Sequence, residues 1–139
     1  MMDMNSKVFS VESANRLLPT VRSLLNDAKR LQKEVRSRTM DWEFMQLGDE
    51  EDTPLDGRTL LKRHAVRTQI DRLVHKFNRR LELVEQLGGQ VRDLDPGRVE
   101  FLSIRDGQII VLCWREGEEK IGYWREYDTP QTRKHLNEK

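Results

Sequence analysis

Acidic, guanidinium and indole side chains gather in the last third of this sequence, where together they could bind a small ligand. The candidate ligand-binding residues are Asp95, Arg98, Glu100, Trp114, Arg115, Glu118, Trp124, Glu126 and Asp128. Carboxylates beside arginine and indole rings can bind a cationic or planar ligand, and carboxylate oxygens can hold a hard metal ion. The alternative, which we favour, is that these groups form cross-strand ion pairs and aromatic cover at the edge of a small core.

The spacing of the acids would suit such a site. Asp93 and Asp95 are two residues apart, as are Glu126 and Asp128. In an extended strand, residues two apart lie on the same side, so each pair could present two carboxylates together. This geometry permits metal binding without requiring it, and we assign no metal ligand.

A second candidate surface is a basic stretch between Arg58 and Arg80, which contains eight Lys or Arg and only Asp71 as an acid. In a helical projection its cations lie beside the apolar stripe, where they could follow the phosphates of a nucleic acid. The candidate nucleic-acid residues are Arg58, Lys62, Arg72, Lys76 and Arg80. The alternative, which we favour, is that their methylene stems lie along a helical seam while their charges balance a nearby acidic loop or a partner chain.

No motif in the chain specifies a reaction. There is no Gly-rich phosphate loop, no Ser-centred turn of the hydrolase type and no His-Glu metal signature. We therefore assign no catalytic residue and expect no cofactor. Cys113 lies in an apolar stretch without a neighbouring histidine, which favours a buried, unreactive thiol.

Two helices should carry these surfaces. Ser10 is a suitable N-cap for a helix over 11–46, whose apolar residues recur at steps of three and four. Pro19 predicts a kink, or a short first helix before a longer one. The acidic segment 47–57 breaks the period and predicts a loop. A second apolar stripe predicts a helix over 58–88 that ends at Gly88-Gly89 and folds back on the first.

After Gly89 the pattern changes to extended structure, and we place an antiparallel sheet over 91–127. Asp106-Gly107 is a strong hairpin signal that pairs Val99 with Trp114, Phe101 with Leu112 and Ser103 with Ile110. A third strand is predicted over 121–126, and the polar tail 128–139 is expected to be loosely held. The fold class is α+β: a long antiparallel helical hairpin, coiled-coil-like, followed by a small three-stranded antiparallel β-sheet.

Composition restricts the class of protein further. The 139 residues predict a single domain over 1–139, and 25 Lys+Arg nearly balance 24 Asp+Glu, so overall charge favours neither nucleic acid nor membrane. One cysteine, with no apolar leader or membrane-length run, predicts a cytoplasmic protein without membrane association.

Several stretches resemble a bacterial family known as domain of unknown function 2203. They are Phe9-Ser10-Val11-Glu12-Ser13-Ala14-Asn15-Arg16-Leu17-Leu18-Pro19, Val91-Arg92-Asp93-Leu94-Asp95 with Gly97, Leu112-Cys113-Trp114-Arg115, Gly117-Glu118, and Tyr123-Trp124-Arg125-Glu126 with Asp128. The resemblance covers nearly the whole chain. It implies a cytoplasmic bacterial protein with a helical hairpin and a C-terminal sheet, and it implies no particular activity.

Three functional hypotheses follow. The first is a non-enzymatic binding or assembly module that acts through its hairpin and sheet surface, as a homodimer or with a protein partner, because two long striped helices and a small sheet leave apolar length to cover. The second is a metal- or small-ligand-binding enzyme that uses the acidic, Arg and Trp residues of the sheet. The third is a nucleic-acid-associated protein that uses the basic residues of the second helix.

Overall fold

The computed structural model describes residues 7–50, 53–129 and 133–136, and it contains two helices followed by an antiparallel sheet. The predicted fold class is confirmed. The helices are α1 (Val11–Met45) and α2 (Gly57–Leu87), and the strands are β1 (Gln90–Leu94), β2 (Gly97–Arg105), β3 (Gln108–Arg115), β4 (Tyr123–Glu126) and β5 (Lys134–His135). Neither helix has the long apolar run that crossing a bilayer requires.

Both helices begin at a residue whose side chain caps the first turn. Ser10 Oγ accepts a hydrogen bond from the amide of Ser13 at 3.1 Å, and Asp56 Oδ1 accepts one from the amide of Thr59 at 2.7 Å. Gly88 ends α2 with φ of 108°, a left-handed conformation that favours glycine. A Cβ atom at Gly88 would also overlap the ring of Phe9, so both the backbone conformation and the lack of space require glycine here.

Helix α1 continues through Pro19 as one element of 35 residues, so the alternative of a separate short first helix is wrong. Proline removes one backbone hydrogen bond from the helix interior. Leu18 and Val21, on either side of the exposed Pro19, are both buried in the core. Burying such a side chain contributes about 1.5–3 kcal/mol, enough to offset much of the lost backbone interaction.

Within the described residues the sheet has five strands in sequential order, each antiparallel to its neighbour. The predicted register of β2 and β3 is confirmed: Val99 pairs with Trp114, and Phe101 with Leu112. Asp106 and Gly107 have φ of 51° and 78°, the two positive values that a tight type I′ hairpin turn needs.

Two strands were not predicted, so the three-stranded count is wrong. Strand β1 pairs with β2 after a turn that contains the cis Asp95–Pro96 peptide. Strand β5 pairs Lys134 with Trp124 of β4, so this part of the predicted loose tail is ordered against the sheet edge. Residues 130–132 and 137–139 of that tail lie outside the described residues.

One face of the sheet packs against the base of the hairpin. Its buried residues are Val99, Phe101, Ile110, Leu112 and Trp114, and the helices contribute Ala14, Leu18, Val21, Leu25 and Val84. Neither α1 nor α2 lies over the opposite sheet face. The outer half of the hairpin lies beyond the core: within the two fully described helices, Leu31 is the last buried residue of α1, and Val84 is the only buried residue of α2.

Candidate functional site

Glu100 lies on the sheet face opposite the core, because side chains alternate along β2 and its neighbours Val99 and Phe101 both point into the core. Glu100 pairs across β2 and β3 with Cys113, and Arg125 stands one strand further, on β4. Despite lying on the face without helices, Glu100 and Arg125 are only 8% and 7% exposed. A charged pair at this depth needs internal partners, because an isolated buried charge is very costly.

Glu100 and Arg125 satisfy one another through two parallel hydrogen bonds. Arg125 Nε donates to Glu100 Oε2 at 3.0 Å, and Arg125 Nη2 donates to Glu100 Oε1 at 3.0 Å. Arg125 Nη1 donates to the carbonyl oxygens of Glu126 and Tyr127 at 3.1 and 3.4 Å. Every guanidinium nitrogen of Arg125 is therefore engaged, which fixes the orientation of the group.

A second arginine neutralises the same carboxylate. Arg92 Nε donates to Glu100 Oε1 at 2.7 Å from the irregular part of β1, where the pairing with β2 shifts between Val91 and Asp93. Burial by itself raises the pKa of Glu100, but the hydrogen bonds from Arg125 and Arg92 outweigh it and hold the pKa below its ordinary value. Glu100 is therefore ionised at neutral pH.

The thiol of Cys113 lies beside this pair, with Sγ 3.9 Å from Glu100 Oε2. Burial, followed by the negative charge of Glu100, raises the pKa of the Cys113 thiol. A thiol must ionise to act as a nucleophile, so the surroundings of Cys113 oppose that role. The structure agrees with the sequence-based expectation that Cys113 is buried.

A small cleft opens above the pair, with a volume of about 170 Å³. Its charged and polar lining comes from Arg98, Glu100, Cys113, Arg115, Arg125 and Arg133. Arg98 pairs with Asp93 at 2.8 Å, and Arg133 Nη2 donates to both carboxylate oxygens of Glu118 at 3.1 and 3.0 Å. The Arg133 guanidinium also lies 3.8 Å from the centre of the Tyr123 ring, which restricts its movement.

The structure brings together about half of the sequence-predicted ligand residues. Arg98, Glu100, Trp114 and Arg115 line the cleft, and Glu118 reaches its rim through Arg133. Trp114 takes part mainly as core, since it is 2% exposed and its Nε1 donates to the carbonyl of Glu118 at 2.9 Å.

Four of the predicted residues lie elsewhere. Asp95 is in the β1–β2 turn, 4.0 Å from Lys29 Nζ. Trp124 packs against the core, Glu126 pairs with Lys134 at 3.2 Å, and Asp128 is exposed in a turn. The prediction that Asp93 with Asp95, and Glu126 with Asp128, share one side of a strand is wrong, because β1 ends at Leu94 and β4 ends at Glu126.

The candidate ligand-binding residues predicted from sequence do not include Arg125 and Arg133, which line the cleft, or Arg92, which binds Glu100 from β1. The alternation of β4 indicated the face of Arg125 but not that its partner would be Glu100, 25 residues earlier. Arg92 lies at a bulge and Arg133 in the segment expected to be loose, so no periodic signal marks either one. In the described ranges 7–50, 53–129 and 133–136, no three His, Cys, Asp or Glu side chains lie close enough to hold a metal ion.

The predicted basic residues are spread along the exposed length of α2. Arg58, Lys62, Arg72 and Lys76 are exposed and form no ion pair with the described part of the chain, whereas Arg80 pairs with Asp27 of α1 at 3.4 Å. We expected these cations to balance the acidic loop, but the residue that pairs with Asp49 of the loop is Arg63, which is not among them. Arg63 donates to both oxygens of Asp49 at 2.7 Å and to the carbonyl of Met45 at 2.8 Å, so it joins the loop to the end of α1.

The outer half of the hairpin exposes large apolar side chains. On α1 and the turn after it, Met40, Phe44 and Leu47 are 68, 74 and 73% exposed, and their spacing of four and three residues places them along one side. On α2, Leu60 and Leu61 are 51 and 72% exposed. Apolar residues at such spacing on a surface indicate an interaction site more often than isolated exposed residues do.

Comparison with known proteins confirms the predicted family resemblance. A family model described as "Uncharacterized conserved protein (DUF2203)" matches residues 7–136, nearly the whole chain. No curated protein and no solved structure matches the chain.

Proposed function

Since the chain belongs to the DUF2203 family, whose description names no activity, we propose its function from geometry: it is a non-enzymatic assembly module whose helical hairpin pairs with a second copy of itself. The observation that carries this proposal is the exposed apolar side of the outer hairpin at Met40, Phe44 and Leu47. More than two-thirds of each side chain is exposed in the described chain, and contact with a second hairpin would remove that surface from water.

The outer hairpin needs such support. The 14 residues of α1 beyond Leu31 extend about 21 Å at 1.5 Å per residue, and none of them is buried. Two helices that bury so little gain little from packing, and helix propensity alone gives marginal stability. A partner hairpin would supply the missing apolar contacts and form a four-helix arrangement.

The distribution of charge favours a second copy, in antiparallel orientation, over an unrelated partner. Between Asp41 and Asp56 the sequence has seven acids and no Lys or Arg, whereas Arg58 to Arg80 has eight Lys or Arg and one acid. We call residues 41–56 the acidic tip of the hairpin and residues 58–80 its basic shaft. A two-fold axis across the hairpins would place the tip of each copy beside the shaft of the other, so the same contact forms twice.

The decisive experiment is sedimentation velocity of the full chain over a wide range of concentration. We expect a dimer for the wild type and a monomer for Phe44→Glu, because a charge at the centre of an apolar contact must be desolvated. Ile104→Glu is the matched control: Ile104 is a similarly exposed apolar residue, 59% exposed, but lies on the sheet. A wild type that stays monomeric at every concentration would overturn the proposal.

Charge reversal tests the orientation and separates assembly from nucleic-acid binding. Lys62→Glu/Lys76→Glu should weaken the dimer, and added salt should weaken it moderately because exposed charges are screened. The companion measurement is binding of a mixed RNA pool at low salt. The assembly proposal is wrong if the wild type is monomeric and binds that RNA while the double variant does not. The basic shaft would then bind nucleic acid.

A further inference from the structure

The cleft on the outer sheet face has more positive than negative charge, and assembly through the hairpin does not involve it. Four arginines line it against one carboxylate, and that carboxylate, Glu100, is already held by Arg125 and Arg92. Counting the rim partners Asp93 and Glu118, five guanidinium groups face three carboxylates, which leaves two positive charges.

Two of these arginines have hydrogen-bonding capacity left over. The Arg115 side chain is exposed and forms no ion pair with the residues that the structure describes. Arg133 Nε is buried and has no hydrogen-bond partner among those same residues, although Arg133 Nη2 is bound to Glu118. A buried donor without a partner is uncommon in folded proteins, and Arg133 is one of the residues that line the cleft.

The site is also preorganised. Arg125 is fixed by four hydrogen bonds, and Arg133 is held between Glu118 and the ring of Tyr123. A ligand would therefore lose little affinity to the ordering of these side chains. The guanidinium group presents its donors as a planar fork that matches two oxygens of a phosphate or carboxylate, so a cluster of arginines selects for oxyanions.

The volume and the net charge of the cleft limit the class of ligand that it can bind. A cleft of about 170 Å³ holds one small group rather than a stretch of polymer. Two surplus positive charges match a dianion better than a single carboxylate. We propose that this cleft binds the dianionic phosphate group of a small molecule, with Arg115 and Arg133 as its main donors and the Glu100–Arg125 pair as the rigid floor. Cys113 lies at that floor as a neutral thiol, which suits binding rather than attack on the ligand.

The test is calorimetric titration of the full chain with inorganic phosphate at constant ionic strength, with chloride as the balancing anion. We expect saturable binding at one site per chain. Arg115→Gln and Arg133→Gln should each lower the affinity about tenfold or more, since a charge-assisted hydrogen bond is lost. Arg16→Gln removes an exposed arginine of α1, away from the cleft, and should leave the affinity unchanged.

Two results would overturn the proposal. One is the absence of saturable phosphate binding by the wild type, and the other is equal binding by the Arg115→Gln and Arg133→Gln variants when circular dichroism shows both to be folded. Titration with citrate at matched ionic strength tests the choice of anion. Citrate binding without phosphate binding would mean that the cleft selects carboxylates, and the phosphate assignment would be wrong. The Phe44→Glu variant should bind phosphate like the wild type, which separates this test from that of assembly.

Discussion

The two faces of the sheet bury their residues to similar depth by different physical means. On the inner face, Phe101 is 1% exposed and packs among apolar side chains of the helices. On the outer face, the adjacent residue Glu100 is 8% exposed and is held by two arginines. Apolar packing is non-directional and tolerates small adjustments, whereas a buried ion pair stabilises the fold only while its geometry is complete. The inner face therefore supplies stability, and the outer face supplies a fixed arrangement of charges.

The largest effect should come from opening a cavity on the inner face. Phe101→Ala removes a ring that contacts Phe9 edge-on, with centroids 5.4 Å apart, and lies within the core. We expect a loss of about 4 kcal/mol in the free energy of unfolding, as for other buried Phe→Ala changes. Urea unfolding followed by circular dichroism measures it. A loss below about 1 kcal/mol would mean that the inner face is not the main source of stability.

The next largest effect should come from breaking the outer pair. Arg125→Met leaves the buried Glu100 with Arg92 as its one ion-pair partner in the described part of the chain, and we expect a loss of about 3 kcal/mol in the free energy of unfolding. Replacing both partners, as Glu100→Leu/Arg125→Met, removes the uncompensated charge and should restore much of that loss. If the double variant is as unstable as the sum of the single ones, the two side chains are not acting as a pair.

Acid should weaken the outer face selectively. The pKa of Glu100 lies below its ordinary value in the folded protein, so its contribution is fully present above the pKa of an unfolded Glu, about 4.3. That contribution is lost as the pH falls through the lower, folded pKa. Urea unfolding at a series of pH values should show a decline in acid that is shallower in Glu100→Gln. The depressed pKa values of Asp49 and Asp56 should leave a residual decline in that variant.

The smallest effect should come from an exposed pair on the strand that carries Arg125. Glu126 lies next to Arg125 in sequence and pairs with Lys134 at 3.2 Å, with both side chains well exposed. Solvent screens such a pair, so Glu126→Gln should leave the melting temperature essentially unchanged. A clear drop would show that the edge strand β5 contributes more to the sheet than its two residues suggest.

Features with a local cause could be predicted from the sequence, whereas features that depend on distant parts of the chain could not. Elements with a local cause were predictable: Ser10 as a cap, Gly88 as a helix end, and the turn at Asp106-Gly107, which fixed the register of β2 with β3. Strand β1 was missed because its shift near Arg92 breaks the alternation that marks a strand. Strand β5 has only two residues, and they are ordered by pairing with β4 rather than by their own sequence.

The candidate site was harder to predict because its partners are distant in the chain. Glu100 and Arg125 are 25 residues apart, and Arg133 and Glu118 are 15 apart. Nothing local distinguishes these arginines from the many others in a sequence with 25 Lys+Arg. Residue type predicted that acids and arginines would meet on the sheet, but only the arrangement of β2, β3 and β4 shows which of them do.

Phe9 connects the base of the helical hairpin to the sheet. Its ring touches the site of Gly88 at the end of α2 and the ring of Phe101 in β2, while its amide donates to the carbonyl of Leu102 at 2.8 Å. The residues just before α1, the end of α2 and strand β2 therefore meet at one point. The base of the hairpin cannot separate from the sheet without withdrawing this ring, so hairpin base and sheet should melt as one cooperative unit, while the outer hairpin is free to fray ahead of them.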